Sequence, residues 1–493
     1  MPEEVEDSMN LASSFGDMPC DVTSSKYSIG LPSFHGGDHD KNSLLRKSRS
    51  VSSLSHRIKE WVFMSHWSHT SAEVGDLNTL QSLQHLPSND RKSSAFLTAV
   101  NMQSMILGTS VLGLPFCVKI AGVWALLATV LLGMASAFTS ALLDDCQYQL
   151  SLSNPGKLKR VHISYVDMSK RCFGRFGTIV IKVLVYLSLM RNVIVLVLLT
   201  DLTESVIKAC GVQNIPNKDL ISLIWMLTTI PLMLIDKVSY LAWVSFIGLK
   251  IYLCALVSIL VICCINYDRW DVQDIPWKVD MEGIGVALGI IINSYSVHMN
   301  LPAVEGSMKN QKQYKTTSHV TFSFNILAKI TFASFGYLTY THSTREEIAQ
   351  NITSFSPLPI VLQIAMIFFT FFSVPMSSFV AFDLLDNSVH PHFPVLSRSV
   401  WKVLSRLICM GFVLLIALLV PHFGLVVSLV GSVRGTAITF VLPTIFYVRL
   451  KTHETTKYKQ FLSYLTLLCS ICAGFFGLFS SVQILLKRGV EEQ

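Results

Sequence analysis

The chain has 493 residues, of which 51% are hydrophobic and only 14% charged, with a formal net charge of +7. Soluble domains carry about a quarter charged residues, so this composition excludes an ordinary soluble protein. The basic balance needs no acidic partner, because membrane proteins gather Lys and Arg on their cytoplasmic face.

Residues 1–95 are polar, lack periodic apolar character and read as a disordered cytosolic tail. Met1 is followed by Pro2, Glu3 and Glu4 without a basic start or an apolar run, so no signal peptide is expected. The stretch 41–59 is basic and rich in serine, as suits a solvated segment beside anionic lipid. Overlapping it, Asp40-Lys41-Asn42-Ser43-Leu44-Leu45 has the form of an acidic dileucine sorting signal. Asp40, Leu44 and Leu45 would then be read by clathrin adaptors and direct the chain to vesicles.

From Phe96 onward apolar blocks repeat, each close to the roughly 20 residues a bilayer core requires. Eleven spans are predicted: 97–118, 122–143, 179–200, 219–235, 241–265, 282–303, 318–342, 357–384, 400–420, 423–447 and 461–486. Loops on one side hold about twice as many Lys and Arg as those on the other, which predicts a cytosolic N-terminus. The short C-terminus, 487–493, then lies in the lumen. So does the sequon Asn351-Ile352-Thr353, which makes Asn351 a glycosylation acceptor. Most cysteines fall inside spans and read as free thiols.

In lipid every backbone polar group must be paired internally, so a spanning helix breaks only where it lines a protein cavity. Span one breaks at Gly108-Thr109-Ser110-Val111-Leu112-Gly113-Leu114-Pro115. The amides that open its second half carry the positive end of the helix dipole and suit a carboxylate. Taken alone, the same residues also read as a packing kink. Span six tips the balance towards a site. Its run Asn293-Ser294-Tyr295-Ser296-Val297-His298-Met299-Asn300-Leu301-Pro302 places hydrogen-bonding side chains and a helix breaker at membrane depth. Interrupted spans at matching places in two five-helix halves mark the binding site of an inverted-repeat transporter. The expected substrate residues are Gly108, Thr109, Ser110 and Gly113, facing Asn293, Ser294, Tyr295 and Ser296. The substrate amine is expected on the carbonyls and hydroxyls of the second group.

Ionisable residues within spans are costly and mark function. Here they are Arg191, Lys250, Lys329, Arg434 and His298. Each reads either as a functional group or as a structural partner of Asp383 or Asp386. The unperturbed value of histidine, near 6.5, would let His298 exchange a proton between compartments. No metal-ligand spacing, phosphate loop or nucleic-acid patch occurs, and no cofactor is implied. An enzyme is disfavoured, since an acyltransferase would want a His/Asp constellation at one interface and none stands out beyond His390-Pro391-His392 in a loop. A seven-helix receptor is disfavoured by eleven spans.

Val111-Leu112-Gly113-Leu114-Pro115, Leu301-Pro302-Ala303-Val304-Glu305-Gly306-Ser307-Met308 and Val420-Pro421-His422-Phe423-Gly424-Leu425 resemble motifs of the amino acid/auxin permease family. Ser164-Tyr165-Val166-Asp167, Gly431-Ser432-Val433-Arg434-Gly435, Leu442-Pro443 and Arg449-Leu450 fit the same pattern, so the likeness runs from about residue 96 to 486. It is nearest the vesicular branch that carries inhibitory amino acids such as GABA and glycine. The resemblance implies an all-α membrane protein with a five-plus-five inverted-repeat core, an eleventh helix and a disordered N-terminal tail. It further implies a secondary transporter loading acidic vesicles, synaptic or secretory, by proton exchange, with chloride a candidate co-ion. Asn101 falls where the family places an asparagine, and it joins His298 and Arg434 as an ion-coupling candidate. Gly108-Thr109-Ser110 departs from the bulkier Gly-Met-Phe of that branch, His298 from a glutamine and Arg434 from a small neutral residue. The alternative is a plasma-membrane or lysosomal amino acid symporter of the same family.

Overall fold

The computed structural model describes residues 93–491, apart from short stretches at 151–157, 161–163, 213–215, 235–237, 278–279, 353–356, 391–396 and 452–455. The sorting motif Asp40, Leu44 and Leu45 lies outside the described residues, as does Thr353 of the sequon. Ser93 is buried and hydrogen-bonded, its amide to the Ser307 carbonyl, and Ser94 caps the first helix through the Leu97 amide.

Eleven helical segments among the described residues stand where the eleven spans are predicted. Span one consists of Ala95–Ile106, a tight turn over Thr109–Gly113 and a second helix Leu114–Ala121, bent by 55°. Span two is Val123–Gln147, span four Lys218–Met233 and span five Val238–Ile265. Span six is Met281–Ser294 followed, after its break, by Leu301–Gly306. Span seven is Tyr314–Tyr340, span eight Pro357–Val389, span nine Arg398–Leu419 and span eleven Lys457–Glu491. Span ten runs from Phe423–Val430 through widened turns at Gly431–Gly435 and Ala437–Val441 to Leu442–Lys451.

Span three is longer than the predicted 179–200. Tyr165–Leu187 leads through a short turn into Arg191–Ala209, so the predicted loop is helical from Tyr165 onward. Ser164 caps this helix at the Asp167 amide, and Lys170, Arg171 and Arg175 face outward while Tyr165, Met168 and Ser169 are buried. Those charges hid an amphipathic first section from a reading based on apolar length.

Among the described residues, nine segments are long and apolar enough to cross a bilayer, with the bent halves of span one counted together. The other two are explicable. Span four has 16 residues, and span seven carries Lys315, Asn325 and Lys329 among many hydroxyl side chains.

Segments five apart in the chain pack on one another: one on six, two on seven, three on eight and four on nine. That is the contact pattern of two repeated five-helix halves. Span eleven packs along span six and span ten.

Beyond span two, β1 (Tyr148–Leu150) and β2 (Leu158–Arg160) form an antiparallel hairpin that places Tyr148 opposite Arg160. Arg160 pairs with Glu305 at 2.9 Å and donates to the Pro302 carbonyl and the Gln147 amide oxygen. The Tyr148 hydroxyl donates to the same Glu305, which is fully buried. Removing one partner of a buried ion pair strands the other, at about 3–5 kcal/mol. Arg160→Met is therefore expected to lower the thermal midpoint of the purified protein, whereas Lys208→Met, which breaks the exposed Glu204 pair, should leave it unchanged.

Candidate functional site

The two helix breaks meet. The Asn293 side-chain amide donates to the Ser110 hydroxyl at 2.7 Å, which joins span six to span one at the residues singled out in the sequence. The turn at Thr109–Gly113 is buried. Its first internal bond runs from the Val111 amide to the Gly108 carbonyl, so the Thr109 and Ser110 amides have no partner within the turn. A side chain added at Gly108 would meet nothing within 4 Å, so open space adjoins the residue that leads into the turn. From span five, the Tyr252 hydroxyl donates to the Gly108 carbonyl at 3.1 Å, while its ring stacks on Phe369 of span eight.

On the span-six side the structure alters the expected arrangement. Lys329 of span seven is fully buried and donates to the Ser294 carbonyl at 2.7 Å and to the Ser294 hydroxyl at 3.1 Å. Its ammonium also lies 3.5 Å from the centroid of the Tyr295 ring. Ser294 ends the helix Met281–Ser294, so the lysine compensates the negative pole of that half-helix. The position expected to receive the substrate amine thus already holds a cation belonging to the chain. Tyr295 reaches away from the break, its hydroxyl on the Thr129 carbonyl of span two.

Buried polar atoms in native proteins nearly always have a partner, and those that do not call for an explanation. In the two broken spans and span seven, the atoms that lack one include Asn101 Nδ2, Gln103 Nε2, Ser296 Oγ, His298 Nδ1 and Asn325 Oδ1. Gln103 and Asn325 touch, the Asn325 amide donating to the Gln103 oxygen at 2.6 Å. This polar seam on spans one and seven includes Gln103 and Asn325, which the sequence did not single out.

His298 and Arg434 stand apart from this cluster. The His298 Nε2 donates to the Ser136 carbonyl and meets the Thr139 hydroxyl, each at 3.0 Å, tying the second half of span six to span two. Arg434 lines an apolar cavity of about 170 Å³ with Leu187, Met190 and Val193 of span three. The Asp386 carboxylate, a potential partner for the intramembrane cations, is taken by Arg406 at 2.6 Å. Asn351 closes its own loop, donating to the Ser343 carbonyl and accepting from the Arg345 amide.

The sequence names Lys329 as an intramembrane charge but carries no sign of its partner, because Ser294 lies 35 residues away on another span.

Comparison with known proteins places this geometry. Residues 91–487 match the family described as transmembrane amino acid transporter protein, and this range includes every motif on which the resemblance rested. The chain is 27% identical over 409 residues to the vesicular GABA transporter of Caenorhabditis elegans, covering 80% of each. It is 26% identical over 376 residues to the vesicular inhibitory amino acid transporter of Homo sapiens, covering 73% of this chain and 70% of that one. Among solved structures it is similar to the inward-facing conformation of Mhp1, with a TM-score of 0.54 at 11% identity, over 82% of this chain and 92% of that one. The five-plus-five membrane fold is thereby shown, and these likenesses are to membrane transporters rather than enzymes. The chain belongs to the transmembrane amino acid transporter family.

Proposed function

We propose that the chain loads small inhibitory amino acids of the GABA and glycine type into acidic vesicles in exchange for protons. The observation that supports this most is the Asn293–Ser110 bond beside the open space at Gly108. It brings two interrupted helices together at a turn whose first amides are not used within the turn, as suits a carboxylate. In this reading the substrate carboxylate rests on the Thr109 and Ser110 amides, and Lys329 holds the facing carbonyl end of span six. A compact substrate fits a turn where Thr109 and Ser110 stand. The vesicular destination is supported by the curated relatives and by the Asp40, Leu44 and Leu45 motif. In this reading the N-terminus is cytosolic, which the charge bias of the loops supports.

Purified protein in liposomes with an imposed inside-acid gradient should accumulate labelled GABA or glycine, and collapsing the gradient should stop accumulation. Uptake no faster than into empty liposomes would overturn the assignment.

A further inference from the structure

Outside the membrane segments, the 344–352 loop is packed as tightly as the core: Thr344, Glu347, Ile348 and Ala349 are each at most 1% exposed. Several spans hold it down. Lys119 of span one donates to the Thr344 carbonyl at 2.8 Å, and Gln363 of span eight donates to the Ala349 carbonyl at 3.0 Å. The Gly424 amide of span ten donates to the Glu346 carboxylate at 2.9 Å. A side chain added at Gly113 would meet the Glu346 carbonyl at 3.5 Å, so the loop lies directly against the turn of span one. Above it opens a polar cavity of about 440 Å³ whose walls include Lys119, Asp201, Lys218, Glu346 and His422.

Glu347, next to the Glu346 that lines the cavity, is fully buried, both carboxyl oxygens included, and its side-chain hydrogen-bonding neighbour is the neutral Gln350. The charged groups around it are otherwise engaged. Lys218 of span four pairs with Asp201 at 2.8 Å and Glu204 at 3.1 Å, both on span three. Arg345 bonds to Gln350, and His422 Nδ1 stands 3.6 Å from Glu346. Across the loop is Tyr252, close enough to feel the charge of Glu347 and itself bonded to Gly108 at the break.

We propose that Glu347 is a proton-binding site that controls docking of the 344–352 loop over the break in span one, staying docked when protonated and releasing when the proton leaves. The proposal rests on the proton-exchange reading above and gives it a residue.

Burial first, and the negative charge of Asp201 second, push the Glu347 carboxyl well above its ordinary 4.5. Between those values the docked loop binds a proton that the released loop does not, so docking weakens as pH rises. An acidic outer compartment therefore holds the loop shut, and a neutral one loosens it.

Hydrogen–deuterium exchange of peptides covering 341–352, in the full chain in lipid nanodiscs and corrected for intrinsic rates, reads this directly. Wild-type protection should fall at least about tenfold between pH 5 and pH 8, as one linked proton allows. Glu347→Gln, or Glu347→Met if the glutamine variant does not fold, should stay protected at both values. His422→Gln should keep the wild-type response. Equal wild-type protection at both pH values overturns the proposal. So does a pH response that survives loss of Glu347, or one that vanishes with His422. Exchange needs no transported solute, so failed amino acid uptake leaves this result standing, and flat exchange leaves the transport reading intact.

Discussion

Lys329→Met is expected to reduce amino acid uptake by at least about tenfold while leaving the thermal midpoint of the purified protein equal to or above wild type. The two halves of this result have different causes. A buried charge replaced by an apolar group of similar volume is often neutral or stabilising, because the desolvation cost of the ion disappears. The helix Met281–Ser294, however, loses the cation at its carbonyl end, and Tyr295 loses the ammonium over its ring. The span-six face of the site then presents an uncompensated negative pole beside a substrate that carries a carboxylate. Proteoliposome uptake and a melting curve on the same preparation separate the effects. A melting point many degrees lower with proportionate loss of uptake would mean that the lysine is only structural. The same contact predicts that wild-type uptake is unchanged when sodium is replaced by N-methylglucamine, since the Ser294 oxygens are already occupied by an ammonium group.

A large loss of stability is expected at Gly431→Ala. A methyl group there would come within 2.0 Å of the Gly289 carbonyl and 2.8 Å of the Asn293 Cβ. One on Gly289 would come within 2.2 Å of the Ser428 hydroxyl. Spans six and ten thus touch backbone to backbone one turn from the break. Small residues allow such approach in membranes, where packing rather than water exclusion drives helix association. Overpacking a tight contact costs about 1–3 kcal/mol and more where backbone must move. The thermal midpoint of Gly431→Ala should fall by several degrees or the protein should fail to accumulate. Gly411→Ala, where nothing lies within 4 Å, should behave as wild type.

How far the sequence speaks depends on whether a signal is local. Glycine and proline at membrane depth are local signals, and so the breaks at Gly108–Pro115 and Asn293–Pro302 are where the reading places them. The Asn293–Ser110 contact follows from the relation between the two halves. What was not legible depends on partners far along the chain. Lys329 shows only as a charge, because its acceptor Ser294 belongs to another span. Glu305 sits in a family-like motif, yet its partner Arg160 comes from a hairpin that no periodicity announces. His298 has the chemistry of a proton carrier, and its contacts with Ser136 and Thr139 come from span two, about 160 positions away. Arg434 is at a plausible depth, and the side of span ten it faces is set by packing against span three. Glu347 gives no sign at all, for a loop glutamate is normally solvated.

The break in span six also bears on how the chain enters the membrane during synthesis. Its helices have 14 and 6 residues, or about 21 Å and 9 Å at 1.5 Å per residue. The hydrocarbon layer is about 30 Å thick, so neither piece can bridge it. The six-residue piece is also too short to hold itself helical in isolation. Taken together the two pieces, Met281–Gly306, are long and apolar enough to cross, and each is held by a partner from elsewhere in the chain, Lys329 on Ser294 and Arg160 on Glu305. Hydrophobicity thus suffices to carry the span across, while the residues that clamp its two pieces decide how the break is held once it is there.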